Sequence, residues 1–372
     1  MTTTINNKHN KLNVPNLRFK EFQGERKEYR IEDITENISS GRCKSRSSNG
    51  KYNLYGSTGI IGKTNEACYE GNLVLVARVG ANAGSLQILN EPCGITDNTL
   101  IIKPKEVDVQ YIYYFLQHFN LNRLIFGSGQ PLITGGMLKK VKVSLGTIQE
   151  QNKITRLLSV LDERLTTQNK IIEDLKKLKC AIIEKVYSEI QGKENSYGQL
   201  FDVVNERNKQ MEYSNILSAS QEKGMVNRDD LNLDIQFERS NINTYKIVRK
   251  GDYVIHLRSF QGGFAFSDKL GVCSPAYTIL RPNSLLEYGY LSNYFTSQRF
   301  IKSLVLVTYG IRDGRSINVD EWLRMKITIP PKEHQQYIVK VIGTFERKIE
   351  DEEAYAAQLS IQKQYLLRQM FI

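Results

Sequence analysis

The chain has few cysteines and none in a functional pattern. Five are spread through 372 residues, at Cys43, Cys68, Cys93, Cys180 and Cys273, and no two are spaced Cys-x-x-Cys. An odd, scattered set indicates neither a disulfide framework nor a zinc site, and it fits a reducing cytoplasm. Histidine is as sparse. His9, His118, His256 and His334 stand apart, without the His-x-x-x-His or carboxylate spacing of a metal site. His256 lies inside an apolar run and reads as structural. No apolar run is long enough to cross a bilayer. The start, residues 1–13, is polar and Asn/Thr-rich and lacks the apolar segment of a signal peptide. Gly-x-Ser-x-Gly and a phosphate-loop lysine are missing. So is the Asp/Asn-Pro-Pro-aromatic stretch of amino-methyltransferases, because the lone Pro330-Pro331 follows Ile329. These absences argue for a chain without an active site or metal of its own.

What is present is charge, repetition and loops. The net charge is +11, which in a cytoplasmic protein favours a polyanionic partner, most often nucleic acid. With 40% apolar and 24% charged residues the balance is globular, enough for two or three domains. Apolar residues recur at Ile154, Leu158, Leu161, Leu165, Ile172, Leu175, Ile182 and Val186, with Gln168 and Lys179 filling the same register. That is a heptad seam, a helix burying a narrow stripe against another helix. The pattern returns 184 positions later at Ile338, Ile342, Phe345, Ile349, Ala356, Leu359, Leu366 and Met370, with Glu352 and Lys363 repeating the polar interruptions. The chain is therefore an internal duplication whose copies each end in a long helix.

The first copy begins with an extended arm, residues 15–22. Tyr55-Gly-Ser-Thr-Gly-Ile-Ile-Gly62 has no phosphate-loop ending and reads as a tight turn that brings backbone close to a partner. Asn72 to Arg78 is a buried strand, Gly80-Ala-Asn-Ala-Gly84 a turn, and Ser85 to Leu89 a second strand. Val109 to Arg123 has helical spacing, with Tyr113, Leu116, Phe119 and Leu124 toward the core. Val141 to Leu145 hands over to the long helix. In the second copy Gly251 to Arg258 aligns with Gly71 to Arg78, and Tyr290 to Phe295 with Tyr111 to Leu116. Polar loops are expected at residues 206–210 and 218–230. The framework repeats while the loops diverge, as expected of two domains that share a scaffold and read different targets.

The expected fold is mixed α/β (α+β), a tandem duplication of one domain plus one long helix. Its segments are a disordered lead-in (1–15), a first domain (16–146), a central helix (147–192), a second domain (193–331) and a C-terminal helix (332–372). A helix from Ile154 to Val186 is about 48 Å long at ~1.5 Å per residue, whereas the connector Gln191 to Tyr197 spans at most about 25 Å. An antiparallel pair needs only that short turn. The coiled-coil and subunit interface is assigned to Ile154, Leu158, Leu161, Leu165, Ile172, Leu175, Ile182, Ile338, Ile342, Phe345, Ile349, Leu359 and Leu366. Candidates for DNA contact are polar residues on Gly-rich loops. Arg42, Lys44, Arg46 and Lys63 could position phosphates, and Ser57 is a further contact candidate. Arg78, Asn82, Gln130, Arg258, Gln261, Arg312 and Arg315 are of types that can bond base edges.

Two variable α/β domains alternating with two long, similar helices resemble the specificity subunit of type I restriction–modification enzymes. The resemblance is carried by Tyr55-Gly-Ser-Thr-Gly-Ile-Ile-Gly, Ala77-Arg-Val-Gly and the handover Leu145 to Ile154 with Glu150-Gln151-Asn-Lys-Ile. In the second copy it is carried by Gly314-Arg-Ser-Ile-Asn-Val and Ile329-Pro-Pro-Lys-Glu-His-Gln335. Leu145-Gly146 departs from the usual proline-containing handover, and His334 stands where Glu is usual. The resemblance implies that each domain reads one half of a bipartite, asymmetric site in double-stranded DNA. The helices would set the unread gap and dock two methyltransferase subunits, which use S-adenosylmethionine. Motor–nuclease subunits using ATP and magnesium complete such complexes. No cofactor is implied for this chain and no membrane partner. A coiled-coil assembly scaffold and a self-sufficient DNA-modifying enzyme are the alternatives.

Overall fold

A computed structural model describes residues 13–44, 47–125, 129–220, 223–230, 239–256, 263–309 and 316–372. The expected lead-in lies almost wholly outside them. The chain forms two compact units, Met1–Asn169 with Ala354–Ile372, and Lys170–Glu353. Both long helices, α3 and α6 below, contribute to each.

In the first unit β1 (Lys27–Arg30), β2 (Thr35–Ser40), β3 (Tyr52–Gly56), β4 (Gly59–Thr64), β5 (Leu73–Ala77), β6 (Leu86–Leu89), β7 (Cys93–Ile95) and β8 (Thr99–Pro104) precede α1 (Val109–Phe119) and α2 (Gly135–Lys139). Then β9 (Lys142–Leu145) leads into α3 (Ile148–Ser188). An antiparallel sheet runs β2-β8-β5-β6, a mixed one β4-β3-β7 in which β3 and β7 are parallel, and β9 pairs with β1. Every residue of β5 is buried, as a central strand covered on both faces requires. Asp108 caps α1 by accepting from the Tyr111 backbone N–H, and Asn120, with φ 57°, ends it. The buried face is Tyr111, Ile112, Tyr114, Phe115 and Leu116. Leu116 is in the core as expected, and Tyr113, Phe119 and Leu124 are half-buried and pack against it.

The second unit repeats the plan with β10 (Lys193–Ser196), β11 (Phe201–Val204), β12 (Leu217–Ser220), β13 (Gly224–Asn227), β14 (Lys246–Val248), β15 (Tyr253–Ile255), β16 (Phe264–Phe266), β17 (Gly271–Cys273) and β18 (Thr278–Pro282). There follow α4 (Gln298–Ser303), β19 (Thr308–Tyr309), β20 (Ser316–Ile317), α5 (Val319–Arg324), β21 (Lys326–Ile329) and α6 (Lys332–Met370). Its main sheet, β11-β18-β15-β16, has the connectivity of β2-β8-β5-β6, and β21 pairs with β10 as β9 does with β1. Two expectations fail locally. Residues 217–220 and 224–227 form paired strands, not polar loop, anchored by buried Leu217 and Met225. Tyr290 to Phe295 does not form a helix like α1. Instead a 3-10 turn, Tyr294–Thr296, precedes α4, which Ser297 caps.

The two long helices run antiparallel. In the first unit Ile154 and Leu158 near the start of α3 share a core with Leu367, Met370 and Phe371 at the end of α6. In the second, Ile183 and Tyr187 share a core with Ile342. The polar seam residues become cross-links: Lys363 bonds Asp162 at 2.6 Å in one unit and Lys179 bonds Glu346 at 3.2 Å in the other. These are the same pair with the helices exchanged. Such seam charges favour one register over its neighbours.

The start of each long helix is clamped by a buried glutamine. Gln151, 3% exposed, accepts from the Asp108 backbone N–H and donates to the Gly146 carbonyl. Gln335 accepts from the Glu287 N–H and donates to the Leu285 and Pro330 carbonyls. The neighbouring positions differ. His334 is exposed, whereas Glu150 is 1% exposed and binds both Arg18 and Arg26. Arg26 also donates to Tyr111 Oη and to the Met370 carbonyl at 2.7 Å, and the Leu17 N–H donates to Gln369. The arm thus closes the unit by holding the end of α6.

Removing one partner of a buried pair leaves an uncompensated charge, so Glu150→Ala is expected to cost roughly 3–5 kcal/mol. Burial alone would push the Glu150 carboxyl up, but the two guanidiniums outweigh it and hold it below its ordinary 4.5. The linked stabilisation is therefore present above pH 4.5 and lost as pH falls through the lower folded value. Urea melts at neutral pH and at about pH 3 check this: the gap between wild type and Glu150→Ala narrows in acid.

Candidate nucleic-acid interface

Two loops of the first unit are joined edge to edge. The turn after β5 is closed by Gly84 N–H donating to Ala77 and Ala77 N–H donating to Ser85. Gly80 (φ 77°) and Gly84 (φ 90°) supply its left-handed corners. The second loop bridges to it: Val79 pairs with Leu132, the Gly80 N–H donates to the Pro131 carbonyl, and Ile133 donates to Arg78. This brings half-buried Arg78 and exposed Asn82 and Gln130 to one place. A long 3.5 Å contact joins Arg78 Nη1 to the Asp97 carbonyl, and the buried Nε has no partner among the described residues. Its backbone is fixed while the donors of its guanidinium are largely unspent, which suits an arginine that meets an acceptor on a ligand.

A second group sits on and around β4-β3-β7. Arg42 and Lys44 are exposed on the segment after β2, whose backbone is held by Gly41 N–H to Thr99 and Cys43 N–H to Ile95. Ser57 is half-buried at the β3–β4 hairpin tip, beside Gly59 (φ 107°) and 57%-exposed Ile60. Gln87 fixes that tip by donating to the Gly56 carbonyl. Lys63 is exposed on β4 and donates to Asn53 Oδ1 at 2.8 Å. Sequence reasoning missed what surrounds it. Asn53 and Tyr55, two apart on β3 and so on one face, both donate to Glu91 Oε1, at 2.8 and 2.7 Å. Those bonds hold the Glu91 carboxyl below its usual value, while burial and then Glu91 push Tyr55 up to about 12. Only the Asn-x-Tyr alternation hints at this.

Arg46, Arg258, Gln261, Arg312 and Arg315 lie outside the described residues. The described strands that flank the last four are paired: His256 N–H donates to Gly263 beside β15–β16, and β19 pairs with β20. Along the long helices the seam is covered throughout. Ile154, Leu158, Leu161, Ile172, Ile342, Ile349 and Leu359 are buried, and Leu165, Leu175, Ile182, Ile338, Phe345 and Leu366 half-buried. The aromatics of α1 pack inward, Tyr111 and Phe115 against Phe371. Among the described residues no group of His, Cys, Asp or Glu is placed to hold a metal, and no helix is long and apolar enough to cross a membrane.

The family model for the type I restriction modification DNA specificity domain matches this chain twice, at residues 24–177 and 193–360. The chain belongs to that family. A type I restriction enzyme EcoprrI specificity subunit from Escherichia coli is 27% identical over 33% of this chain and 30% of its own length. A putative MjaX specificity subunit from Methanocaldococcus jannaschii is 24% identical over 68% of this chain and 65% of its own. The chain thus matches less than two thirds of either relative. The fold is shared with the crystal structure of a type I restriction-modification S subunit from M. genitalium, at TM-score 0.61 and 15% identity, covering 96% of this chain and 99% of that one. A chain from a structure described as showing complex assembly and conformational transition of the type I R-M system gives TM-score 0.58 at 13% identity, covering 92% of this chain and 96% of the other.

The two corner glycines of this specificity-family loop differ in surroundings. A Cβ on Gly84 would meet Asn122 Oδ1 at 3.1 Å and Leu121 Cβ at 3.3 Å, whereas one on Gly80 meets nothing nearer than Gln130 Nε2 at 3.9 Å. Gly80→Ala is expected to cost about 1–2 kcal/mol from the left-handed backbone alone, and Gly84→Ala more than that, compared by urea midpoints.

Proposed function

We propose that this chain is the DNA-reading subunit of a type I restriction–modification complex, with domains 16–146 and 193–331 each reading one half of a bipartite, asymmetric site. The observation that carries the reading is the pair of joined loops holding Arg78, Asn82 and Gln130 on a frame built twice, with different loops each time. In this reading Arg78, Asn82 and Gln130 bond base edges, while Arg42, Lys44 and Lys63 position phosphates. Arg258, Gln261, Arg312 and Arg315 serve the second domain in the same way. The net charge of +11 supports a polyanionic ligand. The long helices set the unread gap and dock two methyltransferase subunits. Those partners bind S-adenosylmethionine and methylate adenine N6 after flipping the base into their own pocket. Motor–nuclease subunits with ATP and magnesium add cleavage. The chain itself supplies recognition and no bond-breaking step.

The test is co-expression with a matching methyltransferase subunit and genome-wide mapping of N6-methyladenine. The expected result is one split motif with a fixed gap. Arg78→Ala and Gln130→Ala relax one half of that motif only, by about 1–3 kcal/mol of base discrimination each. Lys44→Ala weakens binding to all sequences alike and lowers the salt slope by about one. Methylation unchanged by Arg78→Ala and Gln130→Ala would favour a scaffold that leaves reading to its partners.

A further inference from the structure

Cysteines far apart in the sequence meet in the first unit. Cys43 follows β2, Cys68 lies between β4 and β5, and Cys93 opens β7. The Cys43 and Cys68 Sγ atoms are 2.9 Å apart. Both segments are fixed to β7: the Cys43 N–H donates to the Ile95 carbonyl, and Tyr69 exchanges two backbone bonds with Cys93. Gly94 leaves space for the thiol, since a Cβ there would stand 3.0 Å from Cys43 Sγ. Cys43 is buried, Cys68 exposed. A disulfide needs its sulfurs at ~2.05 Å, so the two sulfurs must approach by a further ~1 Å to close the bond.

We propose that Cys43 and Cys68 are a reversible dithiol that closes to a disulfide on reaction with a low-molecular-weight disulfide such as oxidised glutathione. The exposed Cys68 sulfur attacks one sulfur of that reagent and releases one small thiol, leaving a mixed disulfide. Cys43 then attacks Cys68 Sγ and expels the second small thiol. Two cysteine thiols are oxidised, one small disulfide is reduced to two thiols, and the two cysteine protons end on them. The hydrogen bond with Cys43, then burial, raises the Cys68 thiol to about 11. The first step is therefore slow near neutrality and accelerates about tenfold per pH unit below that value. The new bond pins the segment that carries Arg42 and Lys44 against Tyr69. An effect on DNA rests on the function proposed above, but the bond does not.

The test is to treat the full-length protein with oxidised glutathione between pH 7 and 9 and map its peptides without reduction. The expected product is a Cys43–Cys68 linked peptide that dithiothreitol releases. Cys43→Ser should lose the link and accumulate a mixed disulfide at Cys68, and Cys68→Ser, at an exposed position, should lose it with the fold intact. Exposed Cys180 reports that the reagent is active. A stable mixed disulfide on Cys68 in the unmutated protein, a Cys68–Cys93 link, or modification of Cys180 alone would each overturn the proposal. Because the link is read by mass, a missing DNA site would leave this result unaffected.

Discussion

One buried guanidinium closes the first unit. Arg26 has a fully buried side chain, bonds Glu150 at the start of α3, and donates to the Met370 carbonyl at the end of α6. In the second unit α3 runs on through residues 189–192 into β10, so the corresponding junction is covalent. In the first unit side chains make the junction, through Arg18 and Arg26 in the segment before β1. A charged network is a costly way to hold a buried junction, because each ion must be taken from water. It works because every partner is present: Arg18 satisfies the second Glu150 oxygen and Tyr111 shares the guanidinium. His334, at the corresponding position of the second copy, is exposed and, among the described residues, stands outside any such network.

The remaining contacts at these junctions repeat as physical equivalents instead of identical residues. Phe371 packs on Tyr111 with ring centroids 5.0 Å apart, and Tyr187 packs on Tyr290 at 5.7 Å. Tyr187 also donates its hydroxyl to the Tyr290 carbonyl. Asp162–Lys363 and Glu346–Lys179 exchange helices between the units, and Gln151 and Gln335 each accept one backbone N–H and donate to the carbonyl just before their helix, Gln335 to a second carbonyl besides. A frame specified by so few contacts tolerates wide change in the loops it carries. That is the property a recognition subunit needs.

Residue type and place alone single out Arg78, Asn82 and Gln130 as candidates. Arg78 ends a buried strand beside a two-glycine turn, and the structure puts Asn82 and Gln130 next to it. What joins them, the Val79–Leu132 bridge, could not be read, because it pairs residues from different loops with no common period. The Asn53–Tyr55–Glu91 network and the meeting of Cys43 with Cys68 were hidden for the same reason. Each depends on long-range strand pairing, and spacing along the chain carries no trace of it. The face of α1 was legible in its spacing, but its end was not: Asn120 stops the helix at Phe119, short of the expected Arg123.

By itself the sequence determined the duplication, the mixed α/β class and the heptad seam with its polar interruptions, because these are periodic and periodicity survives in one dimension. It also determined the basic charge and the Gly-rich loops, which composition alone reveals. Only the tertiary structure decided which charges are spent. Lys179 and Lys363 cross-link helices, Arg18 and Arg26 bind Glu150 while Arg26 also reaches the end of α6, and Arg78 leaves its guanidinium donors largely unspent among the described residues. A charge announces its presence in the sequence, but its partner is chosen by the backbone that brings the two within 3 Å or so of each other.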